Sequence, residues 1–380
     1  MSVRAEELQI GVSLSSMGYL LAGLGACVAI LARDLDEPTG RLALLSSAFA
    51  VGLVVVAVVG PMLLRSWSIG VVLRAGSFVC AIGAALLALA PVYVVVVVGG
   101  LCVGLGGALL VLVAPLMLHG PTAAARLSRV NAVASAAGIL APLAIGLVDA
   151  LGVTGRVAML AAVPPLLILA VVKGPDVVPP VLSEAPSGHA VGRTVALGWL
   201  RVVLAVGVEF CFVVWAVARL VDSGLTLAIA ALLGSSFPIG MAVGRAIGPI
   251  HWRSLSPVVV GGSLAIVGTL FVSLLDIPAL IAIGLVLAGI GVAPLYPVTI
   301  AALVAMPGLS PTRLAALGAL ASGTAILITP AALAALARVV DLRLAYLITI
   351  PLLLILFTLS RTVRPTDSVR PAGRSGAAAR

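Results

Sequence analysis

Between residues 8 and 361 the chain divides into about a dozen apolar runs of roughly 20 residues, separated by short loops that carry most of its arginines. A run of that length matches the ~30 Å hydrocarbon core of a bilayer at ~1.5 Å rise per residue. Inside lipid each segment must satisfy its own backbone hydrogen bonds, so each run reads as a helix. An all-α, polytopic membrane protein follows. Charged residues make up 9 % of the chain, where a soluble domain carries about 25 %. A water-soluble fold is therefore excluded.

The spacing places twelve spans at 9–31, 42–64, 70–90, 92–118, 130–149, 156–172, 199–221, 224–249, 256–275, 278–304, 313–337 and 343–360. The first run is preceded by Glu6-Glu7 and outlasts a signal peptide, so it is expected to be retained. With both termini inside, 16 of the 22 basic residues fall on the cytoplasmic side. That asymmetry orients the chain in the cytoplasmic membrane. The net charge of +9 is spread over loop ends as topology signals, so no nucleic-acid partner is expected. Trp67, Trp199 and Trp252 stand at helix ends as interface anchors. Cys27, Cys80, Cys102 and Cys211 lie inside apolar runs, and His119, His189 and His251 are far apart. No metal or cofactor is expected from them.

One stretch breaks the rhythm. Residues 173–197 are rich in proline and polar groups and read as a cytoplasmic linker. The organisation is then 1–172 as one six-helix half, 198–361 as a second, and 362–380 as a disordered basic tail. The halves repeat each other in sequence. GPMLLRS at 60–66 parallels GPIHWRS at 248–254, and VPPLLIL at 163–169 parallels IPLLLIL at 350–356. Arg126, Ser135 and Arg156 match Arg313, Ser322 and Arg343 at an offset of 187, while Gly104 and Gly106 match Gly289 and Gly291 at 185.

A parallel six-plus-six repeat resembles the major facilitator transporters. The stretches VEFCFVVWAVARL, GMAVGR and GIGVAPLYP are similar to members from high-GC, actinobacterial-type bacteria. The superfamily's loop after the second helix reads G-x3-D-R-x-G-R-R. Gly60 with Arg65, and Gly248 with Arg253, keep its glycine and arginine, while Leu64 and Trp252 replace its acid. The resemblance makes these residues, with Arg245 nearby, candidates for a cytoplasmic gating loop. GILAPLAIG at 138–146 distantly resembles the fifth-helix signature of proton-coupled exporters, which tips the expectation towards efflux.

Glu209 lies midway along the seventh span and is the acidic residue placed near the bilayer centre. A carboxyl there costs about 2.5–3.5 kcal/mol on insertion scales and marks a functional site by default. Two readings stand: a proton-coupling or substrate-contacting group, or a structural partner for Arg245, which sits within snorkelling reach of the cytoplasmic boundary. In the superfamily the first, fourth, seventh and tenth helices line the cavity. By resemblance Tyr19, Trp215 and Tyr296 join Glu209 as candidates, with Asn131 on the fifth helix. Pro294 and Pro297 bracket Tyr296 and should bend the tenth helix.

The expectation is a monomeric secondary transporter of a small organic molecule, coupled to protons by alternating access. No G-x4-G-K-[ST] motif supports ATP drive. The residues suggest no enzyme. The alternative is a non-transporting receptor or scaffold of transporter ancestry.

Overall fold

The computed structural model describes residues 3–38, 44–118, 123–173, 189–248, 255–306, 309 and 311–361. They form helices and short connections. Ten helices are long and apolar enough to cross a membrane, and the stretches Ser47–Gly60 and Gly155–Val171 are apolar but shorter. In chain order the helices are α1 (Val3–Leu35), α2 (Leu44–Ser66), α3 (Ile69–Leu89), α4 (Tyr93–Met117), α5 (Ala123–Ala150) and α6 (Gly155–Val171). They continue with α7 (His189–Asp222), α8 (Leu227–Ile247), α9 (Pro257–Leu274), α10 (Pro278–Val304), α11 (Pro311–Leu336) and α12 (Leu342–Ser360). Val58, Leu147, Ile168, Leu274 and Ile328 stand exposed on five different helices. Water would penalise such a surface, and lipid is the solvent that suits it. The chain is a multi-pass membrane protein.

Small residues set how closely the helices approach. On α3 against α4, a Cβ on Gly83 would stand 2.7 Å from the Gly99 carbonyl oxygen, and one on Gly106 2.6 Å from that of Gly76. The same contact recurs 185 residues on, in α9 against α10. There a Cβ on Gly268 would stand 2.6 Å from the Gly284 oxygen, and one on Gly291 2.5 Å from that of Gly261. Neither crossing has room for a side chain, so close backbone packing replaces hydrophobic drive.

Two helices are broken where proline removes a donor. Pro238 leaves the Gly234 carbonyl without its helical partner, and α8 breaks at Ser235. Pro294 and Pro297 do the same to α10, which is interrupted between Val292 and Leu295.

Two sequence expectations change. α7 begins at His189, so 189–197 is helix rather than linker; no proline interrupts HAVGRTVAL, and the helix runs on past the apolar span. Gly60 and Arg65 belong to the last turns of α2 rather than to a loop, because helix continues to Ser66. Only Trp67 and Ser68 separate α2 from α3, and the Ser68 hydroxyl caps α3 by accepting from the Val71 amide at 3.4 Å. In the second copy Gly248 ends α8 at φ 79°, a left-handed conformation suited to glycine. Arg253 and Trp252, residues 174–188 and the tail 362–380 lie outside the described residues.

At the end away from the termini, each set of helices carries an ionic clasp. Arg33, closing α1, contacts Asp149 at 2.7 Å and Asp34 at 2.9 Å. Asp34 also meets Arg156 at 3.4 Å and accepts from the Thr154 hydroxyl, while Arg156 donates to the Ala90 carbonyl at 2.6 Å. Arg219, near the end of α7, is fully buried. It donates to the Val272 and Leu275 carbonyls at 3.0 and 2.9 Å, and meets Asp276 at 3.0 Å. Arg343 holds the other Asp276 oxygen at 2.8 Å.

Candidate functional site

Glu209 is one of the few half-buried positions on a stretch of α7 that is otherwise almost wholly buried. It borders a cavity of about 140 Å³ between α1, α5, α7 and α8. Gly18, Ala22 and Ala26 supply one apolar wall, and Phe212, Phe237 and Met241 another. The polar groups converge on one side: Glu209 from α7, Arg245 from α8, and Asn131 and Ser135 from α5.

Arg245 organises them. Its Nη2 lies 3.6 Å from Glu209 Oε1, and its Nη1 donates to the Ser135 hydroxyl. Ser135 in turn donates to the Asn131 carbonyl at 2.8 Å. The guanidinium thus joins α7 and α8 to α5, across the seam between helices before residue 173 and helices after 189. At 3.6 Å the carboxylate contact is an ion pair rather than a tight hydrogen bond. Both side chains keep some exposure, 13 % for Glu209 and 27 % for Arg245.

The sequence places Arg245 where it could snorkel out to the cytoplasmic boundary; here it reaches inward instead. The break at Ser235 and the close approach of Gly244 to the Ile290 carbonyl bring this part of α8 against the broken α10. A counter-charge at Glu209 gives the guanidinium a partner inside the protein.

Tyr296, on the second half of α10, lies within electrostatic reach of Glu209 and Arg245, and Ser322 of α11 donates to the Gly318 carbonyl of its own helix at 3.1 Å. Trp215 lies apart from the cavity. It is buried, and its indole N–H donates to the Pro330 carbonyl of α11 at 3.2 Å. Tyr19 faces a separate, largely apolar groove of about 690 Å³ along α1, α5 and α6, where its hydroxyl donates to the Ala158 carbonyl at 2.8 Å. Of the sequence candidates, Glu209, Arg245 and Asn131 therefore share a cavity, Tyr296 stands beside it, and Tyr19 and Trp215 serve other contacts. Gly60 is buried against Leu112, and Arg65 is exposed.

Ser135 carries little signal in the sequence. It stands out only as a mild hydroxyl, and its partner is 110 residues away. Among the described residues, no cluster of three or more His, Cys, Asp or Glu could hold a metal ion.

Away from the termini, helices before residue 173 come into close contact with helices after 189. There Gly25 of α1 meets the Val213 carbonyl of α7, and Gly146 of α5 packs on Ala228 and Leu232 of α8. Asn131, at the other end of α5, is exposed.

The architecture matches solved transporter structures over nearly its whole length. A D-xylose–proton symporter superposes with a TM-score of 0.74 at 15 % identity, covering 96 % of this chain and 98 % of that one. A bacterial homologue of the human lysosomal transporter Spinster, inward-facing and unoccupied, gives 0.70 at 13 % identity, covering 95 % and 98 %. The nucleoside transporter NupG gives 0.67 at 12 %, covering 94 % and 100 %. No family model matches the sequence, and comparison with curated proteins yields no match. The chain shares the fold of these solved transporters.

Proposed function

We propose that this chain is a secondary active transporter of a small organic molecule, working by alternating access and coupled to protons through Glu209. The observation that carries the reading is the Arg245 guanidinium, which pairs with Glu209 on one side of the seam and Ser135 on the other. Loading or unloading the carboxyl changes what Arg245 is held by, and so changes a bond that links the two sets of helices. That is the kind of local charge change that biases a two-state element.

We read α1–α6 and α7–α12 as two pseudosymmetric six-helix halves, twelve spans in all, with the second half starting at His189. The recurrence of the glycine contacts 185 residues apart supports it. Both termini are assigned to the cytoplasmic face of the cytoplasmic membrane, on the strength of the basic asymmetry. The working unit is taken as a monomer in the bilayer, and export is favoured slightly because of GILAPLAIG.

Purified protein in liposomes should accumulate a labelled compound from a metabolite panel only when a pH gradient is imposed. Glu209→Gln should abolish accumulation while leaving exchange of the same compound in place. Parent-like accumulation by Glu209→Gln would remove the carboxyl from the coupling step. Absence of any gradient-driven flux would favour a receptor or scaffold. Orientation is checked by labelling in intact cells, where an impermeant thiol reagent should reach Gly152→Cys and spare Trp67→Cys.

A further inference from the structure

Resting on that reading, we infer that the substrate is a small, largely apolar monoanion whose carboxylate takes the place of Glu209 beside Arg245 when Glu209 takes up a proton. Two charged side chains face the cavity. α8 contributes Arg245 and α7 contributes Glu209; α5 contributes Asn131 and Ser135, which do not ionise near neutral pH. The α1 residues at the cavity, Gly18, Leu21, Ala22 and Ala26, carry no ionisable group. Tyr296 from α10 stands within electrostatic reach. The site therefore holds one permanent positive charge and one carboxylate that can be discharged.

In a low-dielectric cavity only electrically balanced states are cheap. Ionised Glu209 beside Arg245 is balanced. Protonated Glu209, Arg245 and a substrate anion are balanced too. A bound anion without the proton leaves one surplus negative charge, and a proton without the anion leaves one surplus positive charge. A cationic substrate adds a second positive charge beside Arg245. The geometry thus selects a proton and an anion together. A proton from water goes onto the Glu209 carboxylate, the Arg245 contact passes from that carboxylate to the substrate's, and no covalent bond in the substrate changes.

The contacts suit such an exchange. The ion pair is a single 3.6 Å approach, while Ser135 holds the other guanidinium nitrogen and keeps it aimed. A planar guanidinium can then offer its remaining N–H groups to an incoming carboxylate. The size of the acid follows from the cavity. About 140 Å³ is close to the roughly 150 Å³ cavity that holds benzene in an engineered protein core. The walls are mostly aliphatic and aromatic, so an acid with a short branched or single-ring body fits. Because the loaded site is neutral, acid and proton would cross together, and an imposed pH gradient would drive the acid towards the alkaline side.

The test is calorimetric, on the full chain in detergent, with isovalerate, benzoate and benzylamine as probes. In two buffers of different ionisation enthalpy, wild type should bind one or both acids with uptake of about one proton. Affinity should fall about tenfold per pH unit on the alkaline side, and benzylamine should not compete. Glu209→Gln, which mimics the protonated acid, should bind the acids independently of pH and without proton uptake. Arg245→Gln should lose binding; Arg245→Lys, which keeps the charge, covers the case in which Arg245→Gln does not fold, and should bind more weakly with the pH dependence retained. Acid binding by wild type without proton uptake would overturn the inference, as would binding by folded Arg245→Gln, preference for benzylamine, or no acid binding at any pH. If gradient-driven flux of a neutral or cationic compound is found alongside any of those results, transport stands and only the substrate class falls.

Discussion

The two sets of helices are alike where they pack and unlike where they carry charge. Gly83 and Gly106 on one side, and Gly268 and Gly291 on the other, make the same backbone approach 185 residues apart. At the cavity the likeness stops. An offset of 186 from Glu209 leads back to Gly23, and one of 188 from Arg245 leads back to Ala57. The matched serines also diverge: Ser135 reaches across the seam to Arg245, while Ser322 donates to the Gly318 carbonyl of its own helix. Packing constrains every helix pair equally, so it keeps the repeat. A single buried charge pair is enough for one site, and a second copy would add desolvation cost without a partner to share it.

The sharpest way to break this comparison is to fill the matched crossings. Gly83→Leu and Gly268→Leu should each abolish folded protein, with losses above about 4 kcal/mol, because the obstructing atoms are backbone. Size-exclusion chromatography of detergent extracts reads this, and tolerance at one site alone would show that the contacts are not equivalent. Next come the clasps. Arg219→Gln leaves the Val272 and Leu275 carbonyls without their donor and should cost about 1–3 kcal/mol. Arg33→Gln, at a side chain 48 % exposed, should cost about 1 kcal/mol or less. Thermal unfolding in detergent compares them, and equal losses would contradict the difference in burial. The smallest effect separates the serines. Ser135→Ala and Ser322→Ala should each shift stability by only about 1 kcal/mol. Ser135→Ala alone should alter the rate of gradient-driven flux, because its bond alone spans the seam.

Much of this arrangement is legible in the sequence, and the missing part has one cause. Helical, membrane-spanning runs are carried by local composition, and the helices lie along them with ends displaced by a few residues. The start of α7 was obscured because 173–197 reads as one polar block, although its prolines all lie before 188. Glu209 was visible because a carboxyl among apolar neighbours is conspicuous. The direction in which Arg245 points was not, since it depends on Ser135 and Glu209, which chain spacing does not bring together. Tyr19 and Trp215 show the same thing from the other side. Being on a helix that borders the cavity does not fix which face a ring occupies, and both found backbone carbonyls to donate to.

The buried clasp at Arg219 also bears on how the protein is made. Its counterpart Arg33 has Asp34 as the very next residue, so that charge is answered as soon as it is synthesised. Arg219 meets Asp276 only 57 residues later. At about 5–20 residues per second, the ribosome takes roughly 3–11 s to deliver it. During that interval the nearby carboxylate is Asp222, one helical turn on and 3.5 Å away in the finished protein. The seventh helix therefore enters the bilayer with a provisional partner, and α9 must arrive before the arginine can leave the interface and be sealed in.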